Sequence, residues 1–257
     1  MSLLRHLHTL ILLCGVSLYF APKAHAEELL VGAAASMHEV LQEVAKGFSA
    51  SSHVPVKFSF AASSELVNQT KHGAPFDAII TADTVTMDLL ERESLLTRQS
   101  RIELVGNELV LVVAINSPAA KAYLKSPTDL RKDIVKRIVL CDTVVPAGHY
   151  AQELLTRLGL VELLRPKFVF AVNVRAALAL VASGAADVGF VYRTDVAIAK
   201  QRVNIIYTAG AEMGLNIRYP AAIIRSSAKQ ASALSFLTYL KSQQALAVFE
   251  RHGFLRL

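Results

Sequence analysis

The chain has 257 residues, a hydrophobic fraction of 53% and a formal net charge of +6. That length carries one large domain or two lobes of ordinary size. No block of Lys and Arg is interleaved with aromatics, so nucleic acid is excluded as a partner.

Residues 1–26 read as an export signal and not as part of the fold. Arg5 gives a basic start, residues 7–20 are largely apolar, and Ala24-His25-Ala26 is a small-x-small cleavage pattern. Export with a mature start at Glu27 is expected. The apolar run is short for a membrane span. Cys14 follows Leu12-Leu13 instead of a small residue, which makes a poor lipoprotein site. Removing the signal leaves 231 residues and a charge of +4, because Arg5 and Lys23 leave and no acid does. Cys141 is then the one remaining cysteine and cannot form an internal disulfide. It reads as a small buried hydrophobe in a strand, not as a nucleophile.

Residues 29–36 read as a buried strand, Leu29-Leu30-Val31-Gly32, that ends in Ala33-Ala34-Ala35-Ser36. Met37, Val40, Leu41, Val44, Ala45 and Phe48 follow at helical spacing. Strand, small turn, serine, helix: that order aims the first free N–H groups of a helix at the carboxyl end of a strand. An oxyanion there would meet the N–H groups, the helix dipole and the Ser36 hydroxyl. The plain alternative is that Ser36 caps the helix.

Val54, Val56, Phe58 and Phe60 alternate as a strand. It ends in Ala61-Ala62-Ser63-Ser64, where a second helix starts, and Gly73-Ala74-Pro75 stops that helix. Residues 76–81 read as a third strand. Ala82-Asp83-Thr84 opens the next helix, with Asp83 as its cap. This βαβαβα order predicts a parallel sheet with helices on both faces.

Residues 108–115 form a strongly apolar strand, followed by a polar connection containing Pro118 and Pro127. A second set of βα units then follows. Strand 138–141 precedes helix 147–158, closed by Gly159. Strand 168–171 precedes helix 174–182, closed by Gly184. Further strands are expected at 187–192, 203–207 and 219–224, and two helices at 229–241 and 244–252.

Ligands in open α/β sheets bind outside the carboxyl ends of the strands. Four donor-rich turns occupy such places, each opening a helix: Ala35-Ser36, Ala62-Ser63-Ser64, Pro146-Ala147-Gly148 and Asn173-Val174-Arg175. If they converge, several backbone N–H groups and a few hydroxyls surround one volume. A dehydrated dianion needs that many donors, because an unpaired buried charge is very costly.

The histidines carry no metal-ligand spacing. There is no phosphate-cradling Gly-rich loop, no Gly-x-Ser-x-Gly elbow and no supported Ser/His/Asp set. No enzymatic activity, cofactor or protein-bound metal is expected.

These motifs in this order resemble the periplasmic molybdate-binding proteins of ABC transporters, the ModA family. The resemblance runs from Leu29 to Phe254. It rests on Ala33-Ala34-Ala35-Ser36, Phe60-Ala61-Ala62-Ser63-Ser64, Gly73-Ala74-Pro75-Phe76-Asp77, Val145-Pro146-Ala147-Gly148, Asn173-Val174-Arg175 and Gly189-Phe190-Val191-Tyr192. It implies an α/β architecture of class II periplasmic-binding-protein type, two α/β lobes with a ligand cleft between them. Lobe I is expected at 27–107 and 217–257, and lobe II at 108–216. The implied molybdate ligands are the hydroxyls of Ser36, Ser63 and Tyr192 and the backbone N–H groups of Ala147 and Val174. Ser64 is the alternative register to Ser63. Arg175 is expected to flank the site or bridge the lobes, and His149 to be a solvated helix residue. The resemblance further implies a monomer that captures molybdate, and tungstate, for an inner-membrane ABC permease. The alternative is a receptor for another oxyanion such as sulfate or phosphate.

Overall fold

The computed structural model describes residues 28–199, 201–209 and 213–257. The export signal, its cleavage point and Cys14 lie outside the described residues. In chain order the strands are β1 Leu29–Ala34, β2 Val56–Ala61, β3 Ala78–Ile80, β4 Ile102–Asn107, β5 Leu109–Ala114, β6 Ile138–Cys141, β7 Phe168–Ala171, β8 Val188–Tyr192, β9 Val203–Ala209 and β10 Ile217–Ile223. The helices are α1 His38–Ser52, α2 Ser63–Lys71, α3 Thr84–Arg92, α4 Pro118–Lys121, α5 Pro146–Arg157, α6 Val161–Leu164, α7 Val174–Ala182, α8 Arg193–Val196, α9 Gln230–Leu240 and α10 Gln243–Arg251.

Two five-stranded sheets organise the chain. One has the order β2-β1-β3-β10-β4 and the other β7-β6-β8-β5-β9. Both are mixed, where the βα pattern predicts parallel strands throughout. In the first, β1 pairs parallel with β2 and β3, while β10 runs antiparallel to β3 and β4. In the second, β6 pairs parallel with β7 and β8, while β5 runs antiparallel to β8 and β9. The antiparallel strands are those next to the chain's passages between the sheets: β10 returns from the second sheet and β5 enters it, so neither belongs to a right-handed βαβ unit. The chain leaves the first sheet at Asn107, enters the second at Leu109, and returns to the first at Ile217.

The sequence pattern misses β4, because its apolar run continues into β5 and only Gly106-Asn107-Glu108 marks the break. The pattern also overextends the third strand. Asp77 and Thr81, read as strand residues, are buried polar ends. The Leu30 N–H donates to Asp77 Oδ2 at 2.8 Å, and the Thr81 hydroxyl donates to the Asp83 carbonyl at 2.8 Å.

Helices cover the sheets with their apolar faces. α1 buries Val40, Leu41, Val44, Ala45 and Phe48, each large one contributing roughly 1.5–3 kcal/mol. The Phe48 ring meets Phe236 of α9 edge-on, with centroids 5.1 Å apart. That contact fastens the last helices to the first sheet. No helix among the described residues is long and apolar enough to cross a membrane.

Candidate functional site

β1, β2, β6 and β7 end beside one another, and each is followed within five residues by a helical start. The turns after them, with Ala82 and the end of β8, enclose one small cavity of about 20 Å³. This exceeds the roughly 10–15 Å³ that a single water needs. It is far below the roughly 300–1,000 Å³ of an organic-ligand pocket. All five residues singled out in the sequence, Ser36, Ser63, Ala147, Val174 and Tyr192, line it.

Ser36 lies in a 3₁₀ turn, Ala35–Met37, that precedes α1, and Ala34 and Met37, not Ser36, stand at the N-cap positions of the turn and the helix. Its Oγ lies 3.0 Å from the hydroxyl of Tyr219. The plain cap reading of Ser36 therefore does not hold.

Ser63 is the first residue of α2. Its Oγ accepts the N–H of Ala82 at 3.0 Å, which leaves its own proton free for a ligand. Ser64 faces away, lining a surface groove with Glu65 and Val144. The two registers left open by the sequence are thus separated by geometry.

Ala147 is the second residue of α5. Pro146 ahead of it has no N–H, so Ala147 carries the first free donor of that helix. Gly148 permits the helix to begin so near the end of β6. A Cβ at that position would lie 2.1 Å from the Asp142 carbonyl oxygen and 2.3 Å from that of Cys141. Val174 is the first residue of α7. Its helix is capped by the Asn173 side chain, which accepts the Ala176 N–H at 3.0 Å.

Tyr192 ends β8 with 1% of its surface exposed. Its hydroxyl is buried and has no hydrogen-bond partner among the described residues. Burial holds its pKa well above the ordinary tyrosine value, so the hydroxyl remains a neutral donor. A buried donor left unpaired costs about 1–3 kcal/mol, so this group points to a partner that occupies the cavity.

No charged side chain among the described residues lines the cavity. Charges stand behind it. Arg175 Nη2 donates to the Ser36 carbonyl at 3.0 Å and to Glu39 Oε2 at 2.6 Å. Arg175 Nε lies 2.8 Å from Asp195 Oδ1, at ion-pair distance but off the line of a hydrogen bond. Arg175 thus bridges elements of the two sheets, the second of the two roles that the resemblance left open for it. Burial raises the Asp195 carboxyl to about 7, with Arg175 opposing. Burial pushes Glu39 upward, but Arg175, the Glu39 backbone N–H and His38 together oppose it and the net direction is down. Asp83 caps α3 by accepting the Thr86 N–H at 2.9 Å, and burial raises its pKa. His149 is exposed and lies outside the cavity wall. Cys141 is buried in β6 with its thiol pushed up to about 12 by burial, as expected of a packing residue.

A small cavity of neutral donors and helix N-termini fits a compact anion. Among the described residues its wall carries no carboxylate, histidine, lysine, arginine or cysteine. The bacterial extracellular solute-binding protein family matches residues 29–255. The molybdate-binding protein ModA of Escherichia coli is 36% identical over 249 residues, covering 95% of this chain and 96% of that one. Among solved structures, the substrate-binding domain of a putative molybdenum ABC transporter from Clostridium difficile is 34% identical. It covers 90% of this chain and 99% of that one, with a TM-score of 0.68. The periplasmic molybdate-binding protein of Azotobacter vinelandii is 25% identical, with a TM-score of 0.78 and coverage of 90% and 100%.

This chain belongs to the ModA family of bacterial extracellular solute-binding proteins.

Its fold is the class II periplasmic-binding-protein fold of that family, two α/β units facing one cleft. Membership in the ModA family fits a cavity built from turns instead of catalytic side chains. It does not by itself point to the residues behind the wall. Tyr219, Asn107 and Asp195 are absent from the sequence reading of the site. Tyr219 and Asn107 sit on strands at the chain's two crossings between sheets, and no local motif marks them. Asp195 is visible in the sequence only as an acid three residues after Tyr192. Its Oδ2 accepts the Tyr192 N–H at 3.0 Å, a contact that fixes the end of β8.

Proposed function

We propose that this ModA-family protein captures molybdate, and tungstate, and delivers it to an inner-membrane ABC permease. It acts as a binding protein, not an enzyme. The observation that carries the reading is the buried, partnerless hydroxyl of Tyr192 at a wall of neutral donors. The names of its relatives support the choice of anion.

In this reading Ser36, Ser63 and Tyr192 donate hydroxyl protons to the oxyanion, and Ala147 and Val174 donate backbone N–H groups. Ser36 and Ser63 belong to lobe I, residues 27–107 and 217–257. Ala147, Val174 and Tyr192 belong to lobe II, residues 108–216. A ligand that touches both lobes favours the closed arrangement over an open one by the contacts it gains there. Neutral donors in a rigid shell select by size and charge, and sulfate is too small to reach all of them. Export by residues 1–26 places the protein in the periplasm, where it works as a monomer.

Titration calorimetry of the mature chain with molybdate, tungstate and sulfate tests this. Tight binding of the first two with weak or absent sulfate binding is expected. Sulfate binding equal to that of molybdate, or no response to molybdate, overturns it.

A further inference from the structure

Behind Ser36 lies a buried chain of polar groups outside the cavity wall. The Glu108 N–H donates to Asn107 Oδ1 at 2.9 Å. A backbone N–H is only a donor, so the oxygen of the Asn107 amide must be the atom on that side, and its nitrogen faces the other way. Asn107 Nδ2 lies 2.9 Å from Thr194 Oγ1 and 3.2 Å from the Tyr219 hydroxyl. An amide nitrogen has two protons and no acceptor capacity, so both protons are placed: one on Thr194, one on Tyr219.

Tyr219 therefore accepts from Asn107. Its own proton has one acceptor among the described residues, Ser36 Oγ at 3.0 Å. Tyr219 is fully buried, and a phenol proton with no acceptor there is costly, so the hydroxyl donates to Ser36. Burial raises the Tyr219 pKa far above the ordinary tyrosine value, so that proton is always present. A lone pair of Ser36 is then filled from behind, and its single proton is left for the cavity.

We propose that Asn107 and Tyr219 are positioning residues that fix Ser36 as a hydrogen-bond donor toward the cleft, and so make the site prefer fully deprotonated tetrahedral oxyanions over singly protonated ones. The inference rests on the anion-binding reading of the cavity above. Ser63 is held the same way by the Ala82 N–H, but that donor is backbone and cannot be varied. The Ser36 relay is made of side chains, and its direction can be reversed. Fully deprotonated molybdate needs only donors. Hydrogen arsenate carries the same double charge and one proton, which needs an acceptor that a donor-locked Ser36 does not offer. The ratio of the two affinities isolates the direction of the Ser36 hydroxyl from net charge, because both anions are doubly negative.

The test is calorimetry of the full mature chain with molybdate and with hydrogen arsenate near pH 8, for the native protein, Tyr219→Phe and Asn107→Asp. The native chain is expected to favour molybdate by roughly a hundredfold or more. Tyr219→Phe frees the Ser36 hydroxyl to turn, so the ratio should narrow about tenfold while molybdate weakens about three- to tenfold. Asn107→Asp puts an acceptor oxygen where Nδ2 stood. It draws the Tyr219 proton toward itself and leaves the Tyr219 oxygen to accept from Ser36. Its ratio should fall further than that of Tyr219→Phe.

Equal weakening of both anions, with the ratio unchanged in either folded variant, assigns Tyr219 and Asn107 a packing role and overturns the proposal. If Tyr219→Phe loses its native circular dichroism, Asn107→Asp decides. A native chain that ignores molybdate overturns the molybdate reading instead. Sulfate then replaces molybdate in the ratio, and the relay stands or falls on that comparison.

Discussion

Arg175 Nη2 lies 2.6 Å from Glu39 Oε2, joining the first turn of α7 to the first turn of α1 across the cleft. The same nitrogen donates to the carbonyl of Ser36, while Nε faces the buried Asp195. One guanidinium thus ties the turn carrying Ser36 to the turn carrying Val174 without touching the cavity wall. Asp195 stands behind it and keeps it aimed.

The two halves of this contact differ in worth. Glu39 is 41% exposed at its side chain, so solvent screens the pair and it contributes about 0–1 kcal/mol. Glu39→Gln should weaken oxyanion binding at most about fivefold. Asp195 is fully buried, and removing its counter-charge is worse, roughly 3–5 kcal/mol. Arg175→Met should therefore lower stability far more than Glu39→Gln does, and Arg175→Met with Asp195→Asn should recover most of the loss. Urea denaturation at pH 8 reads this directly. Equal losses in the single and double variants would remove Asp195 as the partner.

Asp195 also sets a pH dependence. Burial holds its folded pKa at about 7, against an ordinary 3.8. Between those values the folded chain keeps a proton that the unfolded chain has released. Stability from this group is therefore greatest below about pH 4, falls as pH rises toward about 7, and is flat above. Asp195→Asn should remove that fall, so the variant gains on the native protein between pH 5 and pH 8. Denaturation midpoints that stay parallel over that range count against the raised pKa.

Hydroxyl and backbone donors should separate cleanly by truncation. Tyr192→Phe keeps the ring and deletes one hydroxyl. A hydrogen bond to a charged partner is worth about 1.5–3 kcal/mol, or about one to two powers of ten in affinity. Ser36→Ala and Ser63→Ala should lose similar amounts, or less where water fills in. Val174→Ala keeps its N–H and should stay within about threefold of native. Tyr192→Phe should also stabilise the ligand-free chain, since it removes a buried donor with no partner. Calorimetry and thermal melts on the four variants give the ranking. A silent Tyr192→Phe beside a crippled Val174→Ala would reverse the assigned roles.

Two neighbouring residues on α5 fail for different reasons. Ala147→Asp places a negative charge in the wall of an anion cavity, where repulsion is weakly screened. Binding should be lost with native circular dichroism retained. Gly148→Ala leaves charge unchanged but drives a Cβ into the backbone at the end of β6. It should cost about 1–3 kcal/mol of stability and weaken binding by displacing the Ala147 N–H. Native stability in Gly148→Ala would show that the helix start can shift freely.

Much of the cavity wall is written locally. Ser36, Ser63, Ala147 and Val174 each stand where a strand's small-residue end meets a helix start, and short-range signals of caps, Pro and Gly suffice to find such places. Helix stops are equally local: Gly159 and Gly184 both adopt the left-handed backbone that ends a helix. The side chains that act through others were not legible. Tyr219 meets Ser36 from 183 positions away, and Arg175 meets Glu39 from 136. Nothing within a window of ten residues encodes those meetings. Strand direction belongs with them: β10 reads as one more apolar strand, and only its slot between β3 and β4 makes it antiparallel. By itself the sequence determined which turns could present donors, because capping and periodicity act over one helical turn. The tertiary structure alone decided that the donors face one cavity, that Tyr192 is left partnerless in it, and which way the protons behind Ser36 must point. Those facts depend on long-range packing and on burial, which forces every enclosed polar group to find a partner or remain unpaired.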